Sequence, residues 1–221
     1  MASITNKDSD DNNNNNNNNN EKNIPRVTSS TVIGETPWLR LLEVKYNDET
    51  NVSRSWNMAE RTTKSKEKDA VDAVAILTTL KGGEDGPKTI LVRQFRPPMN
   101  KYCIEFPAGL IDANETFSEA ALRELKEETG YSGTVTRVSP PCNMSPGMSN
   151  EVVCIVEVDV DMNDERNKNP KTAFDEGEFV ETIIVDLKNI GEELKNRTKN
   201  GDSVCLCVWT MYMGLAMRNT K

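Results

Sequence analysis

The sequence predicts an α/β protein: a mixed β-sheet covered by helices in an α/β/α layering, preceded by a small N-terminal β layer. Three observations predict it. Short apolar, strand-like runs are interleaved with only a few helical segments. No internal repeat breaks that pattern. With a polar tail set aside, about 200 of the 221 residues remain, enough to bury a full core without disulfide or metal staples.

The tail comes first. Residues 12 to 20 are nine consecutive asparagines, inside a polar stretch from Ser3 to about Asn23. Such a run buries too little apolar surface to offset its ordering entropy, so residues 1–24 are expected to be disordered. An apolar share of 36% and a mean hydropathy of −0.63 agree with an unstructured portion. The alternative, a prion-like assembly segment, suits a longer run.

From Thr31 to Thr63 the chain is strand-like. Trp38 to Tyr46 partly alternates, Asn47-Asp48-Glu49-Thr50-Asn51 supplies turn residues, and Val52 to Arg61 returns, an N-terminal hairpin layer. Val71 to Leu80 reads as a buried strand, Lys81 to Pro87 as a loop, and Thr89 to Phe95 as a strand stopped by Pro97-Pro98. Phe117 to Thr129, rich in Ala, Leu, Glu and Lys, reads as a helix closed by Gly130. Strands are expected over Val152–Val158 and Val180–Val185, and helices over Leu187–Lys195 and Val204–Met217.

Composition narrows the chemistry. The chain carries 27 basic and 35 acidic residues, a net charge of −8. That argues against gripping nucleic acid through bulk charge. It contains no histidine, which excludes Ser-His-Asp and Cys-His catalysis, His-ligated zinc and His general bases. Acid–base work falls to carboxylates, Lys, Tyr, Cys or a metal-bound water. Five cysteines (Cys103, Cys142, Cys154, Cys205, Cys207) include no Cys-x-x-Cys and read as buried small hydrophobes in a reducing compartment. The N-terminus resembles neither a signal nor a transit peptide, and the uncharged run Val204–Met217 is too short to span a bilayer. A soluble protein without a membrane partner is expected, cytoplasmic and with the nucleus left open.

Gly109 to Tyr131 is the informative stretch. Glu124, Glu127 and Glu128 stand at i, i+3 and i+4 and project from one helical face. Phe117, Ala121, Leu122 and Leu125 form an adjoining apolar arc that can pack on the sheet. On most helices three such glutamates are only a solvated acidic face. A divalent cation would remove their mutual repulsion, and oxygen-only ligands favour Mg²⁺ or Mn²⁺ over zinc. The spacing decides between the two readings. It runs Gly109, five residues, Glu115, seven residues, then Arg123-Glu124-Leu125-Lys126-Glu127-Glu128-Thr129-Gly130-Tyr131. This stretch resembles the signature of the Nudix hydrolases.

The resemblance implies a Nudix sandwich and a cation that bridges helix glutamates and a pyrophosphate while water attacks phosphorus. It implies Glu124, Glu128 and the backbone carbonyl of Ala108 as metal ligands. Glu127 is left between ligating a second ion and orienting a water on the first. Gly109 is expected to permit a tight loop, and Arg123 and Glu115 to pair across it.

The flanks Gln94-Phe95-Arg96-Pro97-Pro98 and Glu105-Phe106-Pro107-Ala108-Gly109-Leu110-Ile111-Asp112, with Ser145-Pro146-Gly147 and Gly177-Glu178-Phe179-Val180-Glu181, are similar to the ADP-ribose or ADP-sugar pyrophosphatase branch, the animal enzymes above all. That likeness implies Arg61 and Arg96 on the diphosphate, Arg being a planar fork for phosphate oxygens. It implies Trp38 and Trp56 stacked on the adenine, one from each subunit of a swapped homodimer, with plain dimer core as the alternative. Leu110 is expected to touch substrate. Ser145 and Asn57 stand where the animal enzymes carry acids and bear on sugar and base preference. Glu178 is the expected general base and a further metal ligand, with Glu151 as the rival.

The organisation implied is a tail over 1–24, a dimer-forming, adenine-stacking β subdomain over 25–64, and a Nudix hydrolase domain over 65–221. The activity implied is Mg²⁺-dependent hydrolysis of ADP-ribose to AMP and ribose 5-phosphate. Its rivals are another nucleoside diphosphate substrate, a GDP-sugar or an oxidised nucleotide, and a non-catalytic ADP-ribose-binding module. Retention of Gly109 and all three box glutamates argues against the last.

Overall fold

The computed structural model describes residues 23–64, 70–83, 86–174 and 177–218. The expected disordered tail lies outside them apart from Asn23 and Ile24, as do Asp175 and Glu176.

The chain begins with a three-stranded antiparallel meander, β1 (Arg26–Glu35), β2 (Leu39–Asn47) and β3 (Ser53–Arg61), in that spatial order. The expected hairpin is its β2–β3 half. Asp48 makes the turn: its Oδ1 accepts the Thr50 amide at 2.9 Å and the Val52 amide at 3.0 Å, and its Oδ2 accepts Arg54 Nε at 2.8 Å. Asn51 takes the left-handed conformation, which its short polar side chain tolerates. Every residue of β1 is exposed, and within the meander only Leu42 and Val44 are buried.

The remaining strands are β4 (Ala73–Lys81), β5 (Lys88–Arg96), β6 (Lys101–Glu105), β7 (Ala108–Leu110), β8 (Thr134–Val138), β9 (Cys142–Asn143), β10 (Val152–Asp161), β11 (Val180–Asp186) and β12 (Ser203–Val204). They form one nine-stranded sheet with the path β12-β6-β5-β4-β10-β8, while β11 adds to β5, β7 to β4 and β9 to β10. The sheet is mixed: β4 runs parallel to β10 and β6 to β12, and the other pairs are antiparallel.

Strand alternation sends side chains to two cores. Ile90 joins Val74, Ile76, Leu80, Val156, Val158 and Val160 under helix α1 (Phe117–Thr129). Its neighbour Leu91 points the other way and joins Ile104, Phe106, Ile183 and Val185 under helices α2 (Ile190–Lys199) and α3 (Leu206–Arg218). These are the expected α/β/α layers. Among the described residues, no helix is long and apolar enough to cross a membrane.

Four expectations change. The second helix starts at Ile190 rather than Leu187, because Asp186 Oδ1 accepts the Lys188 amide at 2.8 Å and holds a turn there. Val204 lies in β12, paired with Ile104, so the last helix starts at Leu206. On α1 the buried arc is Ala120, Ala121 and Leu125, whereas Phe117 at the first turn is exposed. Cys103 and Cys154 are buried as expected, but Cys142 is exposed and Cys205 and Cys207 are half-buried.

Candidate active site

The ends of α1 fix its position. Thr116 Oγ1 accepts the Glu119 amide at 3.2 Å, and Glu119 Oε2 accepts the Thr116 amide at 2.9 Å, a reciprocal capping box. Gly130, at φ 77°, closes the helix with its amide on the Lys126 carbonyl at 2.9 Å. Ala120, Ala121 and Leu125, fully buried on the sheet, set the rotation about the axis. That rotation directs Glu124, Glu127 and Glu128 into a cleft of about 500 Å³ whose lining also includes β7 and Glu178.

Gly109 is needed for a reason other than the expected tight loop. It is absent from the positive-φ glycines, but a Cβ there would stand 1.8 Å from Glu124 Oε1. The β7 backbone therefore lies directly against this carboxylate, and only glycine leaves room for it.

Arg123 organises the rim. Its Nε donates to Glu115 Oε1 at 2.8 Å, and its Nη2 donates to Glu115 Oε2 and to the Leu110 carbonyl, each at 2.9 Å. This is the expected Arg123–Glu115 pair. The same guanidinium also donates through Nη1 to Glu124 Oε1 at 2.8 Å and Glu127 Oε2 at 3.1 Å. Those contacts hold the guanidinium far above its ordinary pKa, Glu115 contributing most. The converse effect keeps Glu115 low.

Glu128 is 7% exposed, and its Oε2 accepts the Ala108 amide at 3.1 Å. Burial lifts its pKa to about 8, the charges of Glu124 and Glu178 add to the rise, and the Ala108 amide opposes it. Glu124 is also raised, first by burial, with Arg123 opposing. Like charges thus converge where water screens them poorly.

The donors fit a hard divalent cation: oxygen ligands only, two acids, Glu124 and Glu128, whose charged forms burial disfavours until a cation neutralises them, and a glycine backbone against Glu124. As the side chains stand, Glu124 and Glu127 are turned onto Arg123. Among the described residues no three acidic or thiol groups meet at metal-holding spacing.

Of the residues singled out from sequence, Ala108, Gly109, Leu110, Arg123, Glu124, Glu127, Glu128 and Glu178 line this one cleft. The others lie elsewhere. Arg61 donates to Glu151 Oε1 at 2.6 Å in a separate cavity of about 140 Å³ between the meander and residues 148–151. Arg96 donates to Glu105 at 2.8 Å, although its charge reaches far enough to lower the Glu128 pKa. Trp38 is 73% exposed and Trp56 51%, the latter donating its indole N–H to the Gly147 carbonyl at 3.1 Å. Asn57 lies opposite Glu43 on the meander, and the Ser145 carbonyl accepts the amides of Met148 and Ser149 in the 145–149 turn.

Three features escaped sequence reading. Ala173 lines the cleft, its amide on the Glu127 carbonyl at 2.8 Å, and nothing in its sequence context marks it. Asp112 also lines the cleft and was legible only as part of a flanking motif. Asp72, buried, accepts Lys64 and the Val152 amide at 2.6 and 2.8 Å, joining the segment after β3 to β10.

A family model of the NUDIX domain matches residues 69–206. The chain is 41% identical over 181 residues to the ADP-ribose pyrophosphatase of Saccharomyces cerevisiae, covering 81% of this chain and 78% of that protein. It is 44% identical over 157 residues to the ADP-sugar pyrophosphatase of Mus musculus, covering 71% of each. Among solved structures, the crystal structure of an ADP compounds hydrolase superposes with a TM-score of 0.56 at 20% identity, covering 77% of this chain and 83% of that one, a likeness of fold.

Proposed function

The chain belongs to the Nudix hydrolase family, and from that premise we propose that it hydrolyses the diphosphate of ADP-ribose and related ADP-sugars to AMP and a sugar phosphate. The observation that carries the reading is the cleft itself: three glutamates of a capped helix and Glu178 of a facing loop line one cleft beside a backbone that only glycine permits. The substrate class is supported by the yeast and mouse relatives, whose names specify ADP-ribose and ADP-sugars.

Nudix enzymes are typically dependent on a divalent metal. Here Mg²⁺, or Mn²⁺ in its place, would be held by Glu124, Glu128, Glu178 and the Ala108 carbonyl, with Glu127 at its margin. When bound it neutralises the diphosphate and polarises the phosphorus under attack. The remaining work falls to the chain. Glu178 takes the proton of the attacking water, since it lines the acid cleft whereas Glu151 lines the separate cavity beside the meander. Leu110 bounds the substrate on the β7 side. Arg96 and Arg61 turn from Glu105 and Glu151 to the diphosphate oxygens when substrate arrives, trading one charge-assisted pair for another.

The meander, as a subdomain over 25–64, joins two copies of the chain. The strand register supports this. Trp56 lies opposite Val44, and Trp38, in the bend just before β2, precedes Val44 by six residues, up to roughly 20 Å at about 3.4 Å per residue. That separation supports a sandwich in which the second indole is contributed by a partner copy. Asn57 and Ser145, near Trp56 and the turn it touches, bear on the base and sugar preferences. The five free thiols suit a reducing compartment, cytoplasmic or nuclear.

A substrate panel tests the reading. With Mg²⁺, the chain is expected to release AMP from ADP-ribose and ADP-mannose in preference to turning over GDP-mannose or 8-oxo-dGDP, and Glu128→Gln is expected to release none. A preference for the guanine substrates would overturn the adenine assignment, and binding of ADP-ribose without AMP release would overturn the hydrolase.

A further inference from the structure

We infer that Cys205 and Cys207 form a redox-active thiol pair, a modification site that reacts with a low-molecular-weight disulfide such as oxidised glutathione and closes to an intrachain disulfide. Their sulfurs are 3.0 Å apart, about 1 Å beyond a covalent S–S bond of roughly 2.05 Å. The backbone presenting them is fixed on both sides. The Cys205 amide donates to the Ile104 carbonyl at 3.0 Å, beyond the parallel pairing of Val204 with Ile104, and the Cys205 carbonyl accepts the Trp209 amide at 3.1 Å.

The two thiols are not equivalent. Cys205 immediately precedes α3 and stands at its N-cap, where its sulfur faces the Cys207 sulfur at 3.0 Å and the first amides of the helix. These contacts, the Cys207 thiol first, hold the Cys205 thiol below its ordinary pKa, the behaviour of a nucleophilic cysteine at a helix N-terminus. Cys207 is raised, first by its bond to Cys205 and then by burial, which suits it to the second, resolving step. Leu206 between them is 77% exposed, so this turn meets solvent. Cys103 and Cys154, by contrast, are buried and pushed upward by burial.

The exchange balances. The Cys205 thiolate attacks one sulfur of the added disulfide and expels the first small thiolate. Cys207 then loses its proton and attacks Cys205 Sγ, expelling the second. Two protein thiols give up two electrons, one small disulfide becomes two thiols, and the protons leave with them.

The experiment uses the full chain carrying Cys142→Ser, which removes the exposed thiol. After treatment with oxidised glutathione, intact-mass and peptide mapping are expected to show loss of two hydrogens confined to the peptide holding Cys205 and Cys207, reversed by dithiothreitol. Adding Cys207→Ser is expected to stop the reaction at a stable glutathione adduct on Cys205. A treated chain whose remaining thiols all stay free would overturn the inference. So would a Cys205 adduct that persists with Cys207 present, because that excludes ring closure.

Discussion

Glu128 Oε2 accepts the Ala108 amide at 3.1 Å, tying the last turn of α1 to the strand that borders the acid cleft. The bond spans twenty residues of sequence and spends one carboxylate oxygen on the backbone, leaving the other for the cleft. It also opposes a burial that lifts the group to about 8.

A pH dependence follows for the metal-free chain. The folded pKa of Glu128 lies above its unfolded value near 4.5, so the folded state holds the proton more tightly. This group's stabilisation is complete below about pH 4.5 and is lost as pH rises through about 8. Melting of the chain in EDTA should therefore show a Tm contribution that declines across that window. The decline should be absent in Glu128→Gln, and millimolar Mg²⁺ should reverse it in the wild type. A wild-type slope identical to that of the variant would refute this.

Gly109→Ala should separate activity from folding. Its backbone does not need glycine's conformational freedom, but a Cβ would lie 1.8 Å from Glu124 Oε1, so the carboxylate must move. The overpacking should cost about 1–3 kcal/mol in stability. The loss in kcat should be larger, about 10²–10³-fold, the scale on which one preorganised electrostatic group counts. Denaturant melts beside initial rates check both; unchanged kcat would show that Glu124 does not need its present position.

The proposed adenine sandwich predicts complementation. Trp38→Ala and Trp56→Ala should each raise KM for ADP-ribose while sparing kcat, consistent with about 1–3 kcal/mol per stacked base. Co-refolding the two variants should recover high-affinity sites, because a mixed dimer restores one site with both indoles. Recovery absent from a confirmed mixed dimer would place both tryptophans in the same chain's site, or in neither.

Much of this arrangement could be read from sequence because it is local. The helix from Phe117 to Thr129 is bounded by a Thr–Glu capping pair and a glycine, and its glutamate spacing puts three acids on one face whatever the tertiary context. Strands β4, β5, β10 and β11 announce themselves as apolar runs because both faces of that sheet are covered. Strand β1, rich in Ser and Thr and exposed along its length, carries no such signal. Strand β7 is three residues long and exists only through its pairing with β4. Placing Arg61 on Glu151 is equally non-local, since 90 residues separate them and neither sequence neighbourhood specifies the other.

The most direct test of the central claim is calorimetric titration of Mg²⁺ into the chain with a non-hydrolysable ADP-ribose analogue, beside the double variant Glu124→Gln/Glu128→Gln. Saturable, analogue-dependent metal binding by the wild type and its loss in the variant are expected. Equal binding by both would contradict the account.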